Sequence, residues 1–288
     1  MGRPMDTNML YVPPSVSNGI LLVEKKIRSL KSSDFVNAQL YKPSSHLLRR
    51  KGKYLRPALV LLSAHSIGAD PKKYVNLAIA AELLHTSSLV HDDIIDKDSR
   101  RRGSPSVHSK YGIEAAILGG DALISKAIQF SSAYGKEVMD SMAKAALEMC
   151  AGEILDYSFQ DRSSVPNVND YLEIARLKSA SLIGASCSAV PLHRKSRESA
   201  QLYRFGVNFG IAFQIRDDIS DFKVARRPKD YKPNIVASLS EQSGIPAKEA
   251  AAEAELLLSM YIKKGLSVIR DKKAKESFSR YSKLLFSY

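Results

Sequence analysis

Two aspartate clusters of the same form lie in different halves of the chain, Asp92-Asp93-Ile94-Ile95-Asp96 and Asp217-Asp218-Ile219-Ser220-Asp221. On a helix, residues i and i+4 share a face, so the first and last aspartates of each cluster stack. Like charges at this spacing repel, and a helix C-terminus further disfavours a carboxylate by roughly 0.3 to 1 kcal/mol. A hard divalent cation such as Mg²⁺ relieves this repulsion, because it prefers oxygen ligands and often bridges carboxylates to a phosphorylated substrate. A solvated acidic helix end explains one such cluster equally well, but two clusters favour metal binding.

The bulk composition indicates a globular chain. Hydrophobic residues make up 44% of the 288 residues, and no Pro/Gly/Ser-rich linker or repeat divides them, so we expect a single domain over residues 1–288. No apolar run approaches the roughly 18 residues of a membrane span, and no signal peptide opens the chain. We therefore expect a cytoplasmic protein without stable membrane insertion. Cys150 and Cys187 fall in helical patterns and are predicted to be reduced core residues.

The net charge of +13 predicts an anionic partner. Nucleic acid, an anionic lipid surface and phosphorylated substrates all fit a basic chain. The sequence has no recognition-helix, zinc-finger or aromatic sheet motif, so nucleic acid is not expected as a partner. A nucleic-acid binder would also leave the paired aspartate clusters unexplained.

Helical periodicity dominates the chain and alternating runs of β-branched residues are missing, which predicts an all-α fold. One long helix is expected from Pro71 to about Asp98, with Asp70 as its N-cap and the first aspartate cluster near its end. Residues 99–105 are predicted to form a loop, and residues 223–234 a basic loop. The other predicted helices cover residues 16–30, 56–67, 113–132, 136–159, 170–190 and 198–222, with a helical start near Ser45 and two helices after Pro246.

Each aspartate cluster is predicted to head a stripe of mostly small side chains on its helix. Glycine inside a helix costs about 1 kcal/mol against alanine, so two glycines on one face indicate a packing or cavity requirement. Two such stripes predict a channel for an extended apolar tail, whereas tight helix packing is the alternative for either stripe alone. The first stripe contains Ala81, Leu84, His85, Ser87, Ser88, Asp92 and Asp96, and the second contains Gly206, Gly210, Gln214, Asp217 and Asp221.

Several basic residues are candidates for phosphate binding. Lys53 and Arg56 lie at a helix start, where backbone N–H groups add to the attraction for an anion. Arg101 and Arg102 closely follow the first aspartate cluster, and their planar guanidinium groups suit phosphate oxygens. Lys178 is a weaker candidate. Each of these residues, taken alone, is more typical of a solvated surface.

Together these motifs resemble those of the trans-prenyl diphosphate synthases. The resemblance covers about residues 45 to 240 and is specific, because it pairs two DDxxD clusters with an Arg-Arg-Gly loop. It implies an all-α, single-domain helical bundle of the isoprenoid synthase type with a central substrate cavity. Besides the clusters, the matching residues are Gly52-Lys53-x-x-Arg56-Pro57, Glu82-Leu83-Leu84-His85, Leu89-Val90-His91, Arg101-Arg102-Gly103, Pro105, His108, Tyr111-Gly112 and Phe213-Gln214-Ile215.

The resemblance implies a Mg²⁺-dependent prenyltransferase. Such an enzyme condenses isopentenyl diphosphate with dimethylallyl, geranyl or farnesyl diphosphate by ionisation, condensation and elimination. Three Mg²⁺ ions are implied, with Asp92, Asp96 and Asp217 as direct ligands, whereas Asp93, Asp218 and Asp221 would act through water or hydrogen bonds. The family is typically homodimeric, so a homodimer is expected.

The same resemblance assigns the substrate-binding residues. Charge stabilisation of the departing pyrophosphate would carry catalysis, without a serine or cysteine nucleophile. Isopentenyl diphosphate would bind Lys53, Arg56, His85 and Arg102, and the allylic diphosphate would bind Arg101, Lys178, Ser179 and Gln214. The residues implied in catalysis are Asp92, Asp96, Asp217, Lys178 and Arg101.

Product length is expected to depend on the residues just before the first aspartate cluster. Ser87 and Ser88 occupy the places where a bulky aromatic residue stops chain growth early in this family. Leu84 lies about one helical turn lower, roughly 5.4 Å. The expected product is therefore an all-trans chain of C20 or longer.

The sequence also departs from the family pattern. The Gly-Lys-x-x-Gly-x-Asp segment expected after the second cluster is missing, and Lys223, Lys229 or Lys232 is a candidate for the missing charge. Lys51-Gly52, Gly152-Glu153 and Lys178-Ser179 replace the usual Gly-Gly, Gly-Gln and Lys-Thr pairs. Two alternatives stay open: a noncatalytic or length-setting subunit of a heteromeric prenyl synthase, and a class I terpene cyclase, whose second motif normally differs from the one here.

Overall fold

The computed structural model of the chain describes residues 12–50, 52–161, 164–224 and 234–286. These residues are overwhelmingly helical, which confirms the predicted all-α class. The α-helices are α1 (Pro14–Ser29), α2 (Ala38–Ser45), α3 (Leu55–Ser66), α4 (Val75–Ile95), α5 (Val107–Tyr111), α6 (Ile113–Ser131), α7 (Lys136–Asp161), α8 (Val168–Ile174), α9 (Ser181–His193), α10 (Ser199–Val224), α11 (Ile235–Ser243), α12 (Ala247–Ser267) and α13 (Lys272–Phe286). Short 3₁₀ turns cover Ser32–Phe35, Pro71–Tyr74 and Ser132–Tyr134, and a π-helical turn covers Ala175–Ala180.

The described residues form two compact units. The N-terminal unit contains Val12–Met142 and Ala189–Ser196, and the C-terminal unit contains the described parts of Ala143–Ser188 and Arg197–Tyr288. Each unit has its own core. A single domain over residues 1–288 stays a prediction from the sequence.

Helix α4 is the centre of the N-terminal unit and packs against α1, α3 and α6. Its side chains Leu77, Ile79 and Leu83 are fully buried, and burying one such side chain stabilises a fold by about 1.5 to 3 kcal/mol. Residues 189–196 belong to this unit because the His193 imidazole Nδ1 lies 2.9 Å from the Tyr134 carbonyl.

The predicted long helix over 71–98 is shorter at both ends. Asp70 caps its start, since its carboxylate accepts a hydrogen bond from the Lys72 backbone N–H at 3.0 Å, but the first turn is 3₁₀ rather than α. Asp96 is the C-cap of α4, and Lys97 has a left-handed φ of 56° that stops the helix. The first aspartate cluster therefore occupies the final turn of α4.

Two other expectations about local structure were wrong. The loop predicted over residues 99–105 contains a two-stranded antiparallel hairpin, β1 (Arg100–Arg101) and β2 (Ser104–Pro105). This hairpin forms because Arg102 and Gly103 both take the positive φ that a tight hairpin turn requires. No helix starts near Ser45. Instead α2 ends there, capped at its start by the Asn37 side chain, which accepts from the Leu40 N–H.

In the C-terminal unit, α10 packs against α11, α12, α13 and the π-helical turn. Phe205 and Phe209 of α10 are almost completely buried, and the Phe205 ring lies 4.6 Å from the ring of Phe278. Aromatic residues bury large areas and such ring contacts add further stabilisation. This core fixes the helix that ends in the second aspartate cluster.

The glycines of α10 serve close packing, which corrects the predicted channel stripe. A Cβ on Gly206 would lie 2.7 Å from the Gly184 Cα, and one on Gly210 would lie 2.6 Å from the Ala180 Cα. These distances leave no room for a side chain or a ligand at that face. The cost of two helical glycines is therefore offset by contact with α9 and the π-helical turn.

The cysteine prediction holds for one residue only. Cys187 is buried, and burial raises the pKa of its thiol, whereas Cys150 is exposed on α7. Among the described helices, none combines the length and apolar character needed to cross a membrane.

Candidate active site

The first aspartate cluster divides into accessible and buried carboxylates. Asp93 is fully buried, and its Oδ1 accepts a hydrogen bond from the Arg101 Nε at 2.7 Å. Burial raises the pKa of Asp93, and the Arg101 guanidinium opposes that shift. Arg101 also contacts the Asp98 carboxylate at 3.2 Å. Asp93 therefore ties the β1–β2 hairpin to α4.

Asp92 and Asp96 are only partly buried at the end of α4. Their carboxylate oxygens are the ligand type that Mg²⁺ prefers, so the residues present fit a divalent cation. Within the described residues, no three His, Cys, Asp or Glu side chains form a ready-made metal cage.

The N-terminal unit also contains a group of buried and partly buried residues that we name the arginine cluster: Arg56, Glu82, His85 and Arg102. The Arg102 Nη2 lies 3.7 Å from the Glu82 Oε1, and its Nη1 donates to the Leu47 carbonyl at 3.4 Å. Burial raises the pKa of Glu82, opposed by the charges of Arg102 and Arg56. Three of the four residues predicted to bind isopentenyl diphosphate thus lie together.

Histidine 85 is held neutral in the arginine cluster. Burial, followed by the positive charges of Arg56 and Arg102, places the pKa of His85 well below its usual range. A neutral imidazole can still donate one hydrogen bond to a phosphate oxygen. Lys53, the fourth predicted residue, is exposed and follows Gly52, where a Cβ would lie 3.3 Å from the Arg102 Nη1. The main chain leading to Lys53 therefore touches the arginine cluster.

The residues predicted to determine product length lie on α4, between Glu82 of the arginine cluster and the C-terminal end of the helix. Ser87 is buried, as is Leu84, and Ser88 donates a hydrogen bond to the His85 carbonyl at 3.0 Å. Their role in product length stays a prediction.

In the C-terminal unit, a second group surrounds Lys178, and we name Glu153, Asp156 and Lys178 the lysine cluster. The Lys178 Nζ lies 2.7 Å from the Glu153 Oε2 and 2.6 Å from the Asp156 Oδ2. Lys178 belongs to the π-helical turn, a rare distortion that is common at functional sites. A continuous helix over 170–190 was predicted, so the distortion itself was missed.

Gly152 allows α7 to approach that π-helical turn. A Cβ at Gly152 would lie 2.4 Å from the Lys178 backbone N and 2.8 Å from its Cα. Real Cβ atoms do not come so close to backbone, so a larger residue would displace Lys178. Packing at one glycine thereby sets the position of the lysine cluster.

The second aspartate cluster repeats the division seen in the first. Asp218 is buried and accepts hydrogen bonds from the Gln214 Nε2 at 2.8 Å and the Ile235 N–H at 3.1 Å. Burial raises the pKa of Asp218 to about 6. The Ser179 hydroxyl donates to the Gln214 Oε1 at 2.7 Å, so Ser179 and Gln214, both predicted to bind the allylic diphosphate, are in contact. Asp217 is half-buried and Asp221 is exposed.

Arg216 is a neighbour of the second cluster that sequence reasoning missed. Its Nη2 donates to the Asp217 Oδ1 at 2.6 Å, and its Nη1 donates to the Leu285 carbonyl at 2.7 Å near the end of α13. The guanidinium also lies over the rings of Phe213 and Phe286, at 4.4 and 5.7 Å from their centroids. Arg216 thus links Asp217 to the last described helix.

Other contributors could have been found from spacing. Glu82 precedes His85 by three residues on one helix face, and Glu153 precedes Asp156 by the same interval. Three lysines were candidates for the charge missing after the second aspartate cluster. Of these, Lys223 pairs with Glu255 at 2.8 Å, whereas Lys229 and Lys232 lie outside the described residues.

Comparisons with known proteins show which family the chain belongs to. The polyprenyl synthetase family model matches residues 37–234. The geranylgeranyl pyrophosphate synthase of Geoglobus acetivorans is 37% identical over 243 residues, which cover 81% of this chain and 76% of that protein. The heptaprenyl diphosphate synthase component 2 of Geobacillus stearothermophilus is 35% identical over 210 residues, covering 72% of this chain and 65% of that protein.

A solved structure of the geranylgeranyl pyrophosphate synthetase from Geoglobus acetivorans superposes with a TM-score of 0.85 at 29% identity, and the match covers 95% of this chain and 99% of that one. The chain therefore belongs to the polyprenyl synthetase family, the trans-prenyl diphosphate synthases. Its activity is that of a trans-prenyltransferase, and enzymes of this family generally depend on a divalent metal ion.

Proposed function

We propose that this enzyme condenses isopentenyl diphosphate with dimethylallyl, geranyl or farnesyl diphosphate to give an all-trans polyprenyl diphosphate of C20 or longer. The arginine cluster carries this proposal. The buried guanidinium group of Arg56, the partly buried one of Arg102 and a neutral imidazole stand on the same unit as the accessible carboxylates of Asp92 and Asp96. Such a group suits a diphosphate that must be held without itself ionising, since guanidinium forks match phosphate oxygens.

The reaction breaks the allylic C–O bond, forms a C–C bond from the isopentenyl double bond, and passes one proton to the released pyrophosphate. Asp92, Asp96 and Asp217 are the proposed ligands of Mg²⁺, and three ions per active site are proposed. When bound, Mg²⁺ stabilises the negative charge that develops on the departing pyrophosphate. Lys178 and Arg101 add positive charge to that group, and Ser179 and Gln214, which are hydrogen-bonded to each other, help to hold it.

Product length of C20 or longer is supported by the small side chains of Ser87 and Ser88 on α4. We propose that an apolar tail grows along α4 from Asp92 towards Leu84. The match with a protein named geranylgeranyl pyrophosphate synthase supports the same length, because geranylgeranyl is the C20 chain.

A direct assay tests the proposed function. The full chain is incubated with Mg²⁺, labelled isopentenyl diphosphate and each allylic diphosphate in turn, and the dephosphorylated products are sized by chromatography. Products of C20 or longer are expected, together with complete loss of product after metal chelation. Absence of elongation by the chain alone but elongation after adding a partner subunit would instead identify a component of a heteromeric synthase.

We further propose a homodimer, supported by exposed apolar side chains on two helices. The exposed residues of α6 include Ile113, Ile117 and Ile128, and those of α7 include Leu147 and Ile154. Exposed apolar side chains mark protein–protein contacts where several of them lie together on one helix. Light scattering after size exclusion should give twice the chain mass for the wild type and a smaller mass for Leu147→Glu. Leu256→Glu on α12 is the matched control, since both leucines are 72% exposed.

The cytoplasmic location and the absence of nucleic acid as a partner remain predictions from the sequence.

A further inference from the structure

A glutamate buried at an anion-binding site needs an explanation. Glu82 is 3% exposed on α4, and no step of the proposed reaction uses a carboxylate there. A buried charge is costly unless it is paired. A negative charge would also repel a diphosphate, so Glu82 is unsuited to contact the substrate.

The surroundings of Glu82 show what it does contact. Its Oε1 lies 3.7 Å from the Arg102 Nη2, and the charge of Arg56 also acts on it. Gly52 lies against the same pair, because a Cβ there would be 3.3 Å from the Arg102 Nη1 and 3.4 Å from the Glu82 Oε1. Arg102 itself extends from a residue with a left-handed φ of 51° in the hairpin turn. The guanidinium is therefore fixed by its backbone, by Leu47 and by Glu82.

We infer that Glu82 is a positioning residue for isopentenyl diphosphate, acting through Arg102 and Arg56. Two guanidinium groups close together repel each other, and a free arginine side chain loses about 2 kcal/mol of rotamer entropy when it is ordered. A nearby carboxylate offsets the repulsion and orders the side chain before the substrate arrives, which strengthens binding. This inference rests on the proposed function, because it assigns isopentenyl diphosphate to the arginine cluster.

The test compares Glu82→Gln, which keeps the shape and removes the charge, with Thr86→Val as control. Thr86 is fully buried one turn further along α4 and outside the arginine cluster. Binding of isopentenyl diphosphate is measured by calorimetry in EDTA, so that no metal contributes. Glu82→Gln should weaken binding by roughly tenfold, as expected for loss of a charged partner, while Thr86→Val stays within about twofold of wild type.

Steady-state kinetics supply a second readout. Glu82→Gln should raise KM for isopentenyl diphosphate by a similar factor and leave KM for the allylic diphosphate within about twofold. Equal increases in both constants, or unchanged binding in EDTA, would overturn the inference. If the wild type binds isopentenyl diphosphate and Glu82→Gln binds it equally well, only the role of Glu82 is refuted. If the wild type neither binds isopentenyl diphosphate nor elongates a substrate, the proposed function is refuted and the inference with it.

A double-mutant cycle tests whether Glu82 acts through Arg102. Arg102→Gln alone should weaken binding strongly, and adding Glu82→Gln to it should cause a smaller further loss than Glu82→Gln causes in the wild type, because only Arg56 is then left to be positioned. Additive losses would show that Glu82 does not work through Arg102. Thermal unfolding of each variant shows whether the chain stays folded, and the double variant removes both members of the Glu82–Arg102 pair, so neither of these two charges is left without the other.

Discussion

The arginine cluster and the lysine cluster are each proposed to bind a diphosphate, and they have opposite charge balances. In the N-terminal unit, two guanidinium groups surround the single carboxylate of Glu82. In the C-terminal unit, two carboxylates, Glu153 and Asp156, contact the single ammonium of Lys178. The first group is positive before any ligand binds, and the second is negative.

This difference implies different requirements for a metal ion. A cluster with excess positive charge attracts a diphosphate without help, whereas excess carboxylate repels it until cations are bound. The proposed roles fit this division, since only the allylic diphosphate has to leave as pyrophosphate and needs strong charge stabilisation. We therefore expect isopentenyl diphosphate to bind without metal and the allylic diphosphate to depend on it.

The largest expected effect comes from Asp92→Ala. Loss of a metal-binding carboxylate should lower kcat by about 10³-fold, because a catalytic metal contributes several kcal/mol. Binding of isopentenyl diphosphate in EDTA should stay within about twofold of wild type. A tenfold loss of that metal-free binding would contradict the expectation that isopentenyl diphosphate binds independently of the metal ligands. Asp140→Ala, an exposed aspartate on α7, is the control and should leave both values unchanged.

The next effect concerns the product rather than the rate. Ser87→Phe places a bulky ring on α4 about one turn below Asp92, where the tail is proposed to run, so C15 should replace C20 or longer as the main product. Chromatography of the dephosphorylated products measures the change, and Ser87→Ala is the control. An unchanged product spectrum would show that the growing chain does not run along this face of α4.

Sequence reasoning found the helices and the charged motifs because both depend on local spacing. The final turn of α4 is an example: period 3.6 and Asp70-Pro71 predict the helix, and the acidic cluster marks its end. Arg56, His85 and Arg102 were named as one binding group, and they do lie together. Their grouping came from the resemblance to a known family, whereas local spacing indicated only that Arg56 and Arg102 are candidates for phosphate binding.

The errors concern contacts between segments far apart in the chain. The glycines of α10 were predicted to line a channel. Instead, Gly206 and Gly210 pack against α9 and the π-helical turn, which no spacing within α10 could reveal. The pairing of Lys178 with two acids of α7 depends on where two helices cross. Periodicity also cannot predict the π-helical turn, because one extra residue in a turn leaves the apolar pattern nearly unchanged.

A glycine lies next to each cluster, and substituting the two glycines compares how tightly the two clusters are packed. Gly152→Ala would bring its Cβ within 2.4 Å of the Lys178 backbone, whereas Gly52→Ala would bring its Cβ within 3.3 Å of the side-chain end of Arg102, a longer distance and not to backbone. Overpacking against backbone costs about 1 to 3 kcal/mol, so Gly152→Ala should lower the free energy of unfolding by that amount and raise KM for the allylic diphosphate. Gly52→Ala should change stability by less than about 0.5 kcal/mol. Denaturant titration of both variants decides the point, and equal losses would mean that the two sites are equally rigid.

The smallest effect is expected for Glu153→Gln, and its sign is the informative part. If the two carboxylates of the lysine cluster compete with the allylic diphosphate for Lys178, removing one charge should lower KM for that substrate by about threefold, the usual scale for a partly exposed ion pair. Glu148→Gln on the same helix, where Glu148 lies 4.0 Å from Arg176, is the control and should leave KM unchanged. A rise in KM would show that Glu153 positions Lys178 in the way inferred for Glu82 and Arg102. In that case, the two clusters would share one principle, a buried acid ordering a base, and the charge balance would not distinguish them.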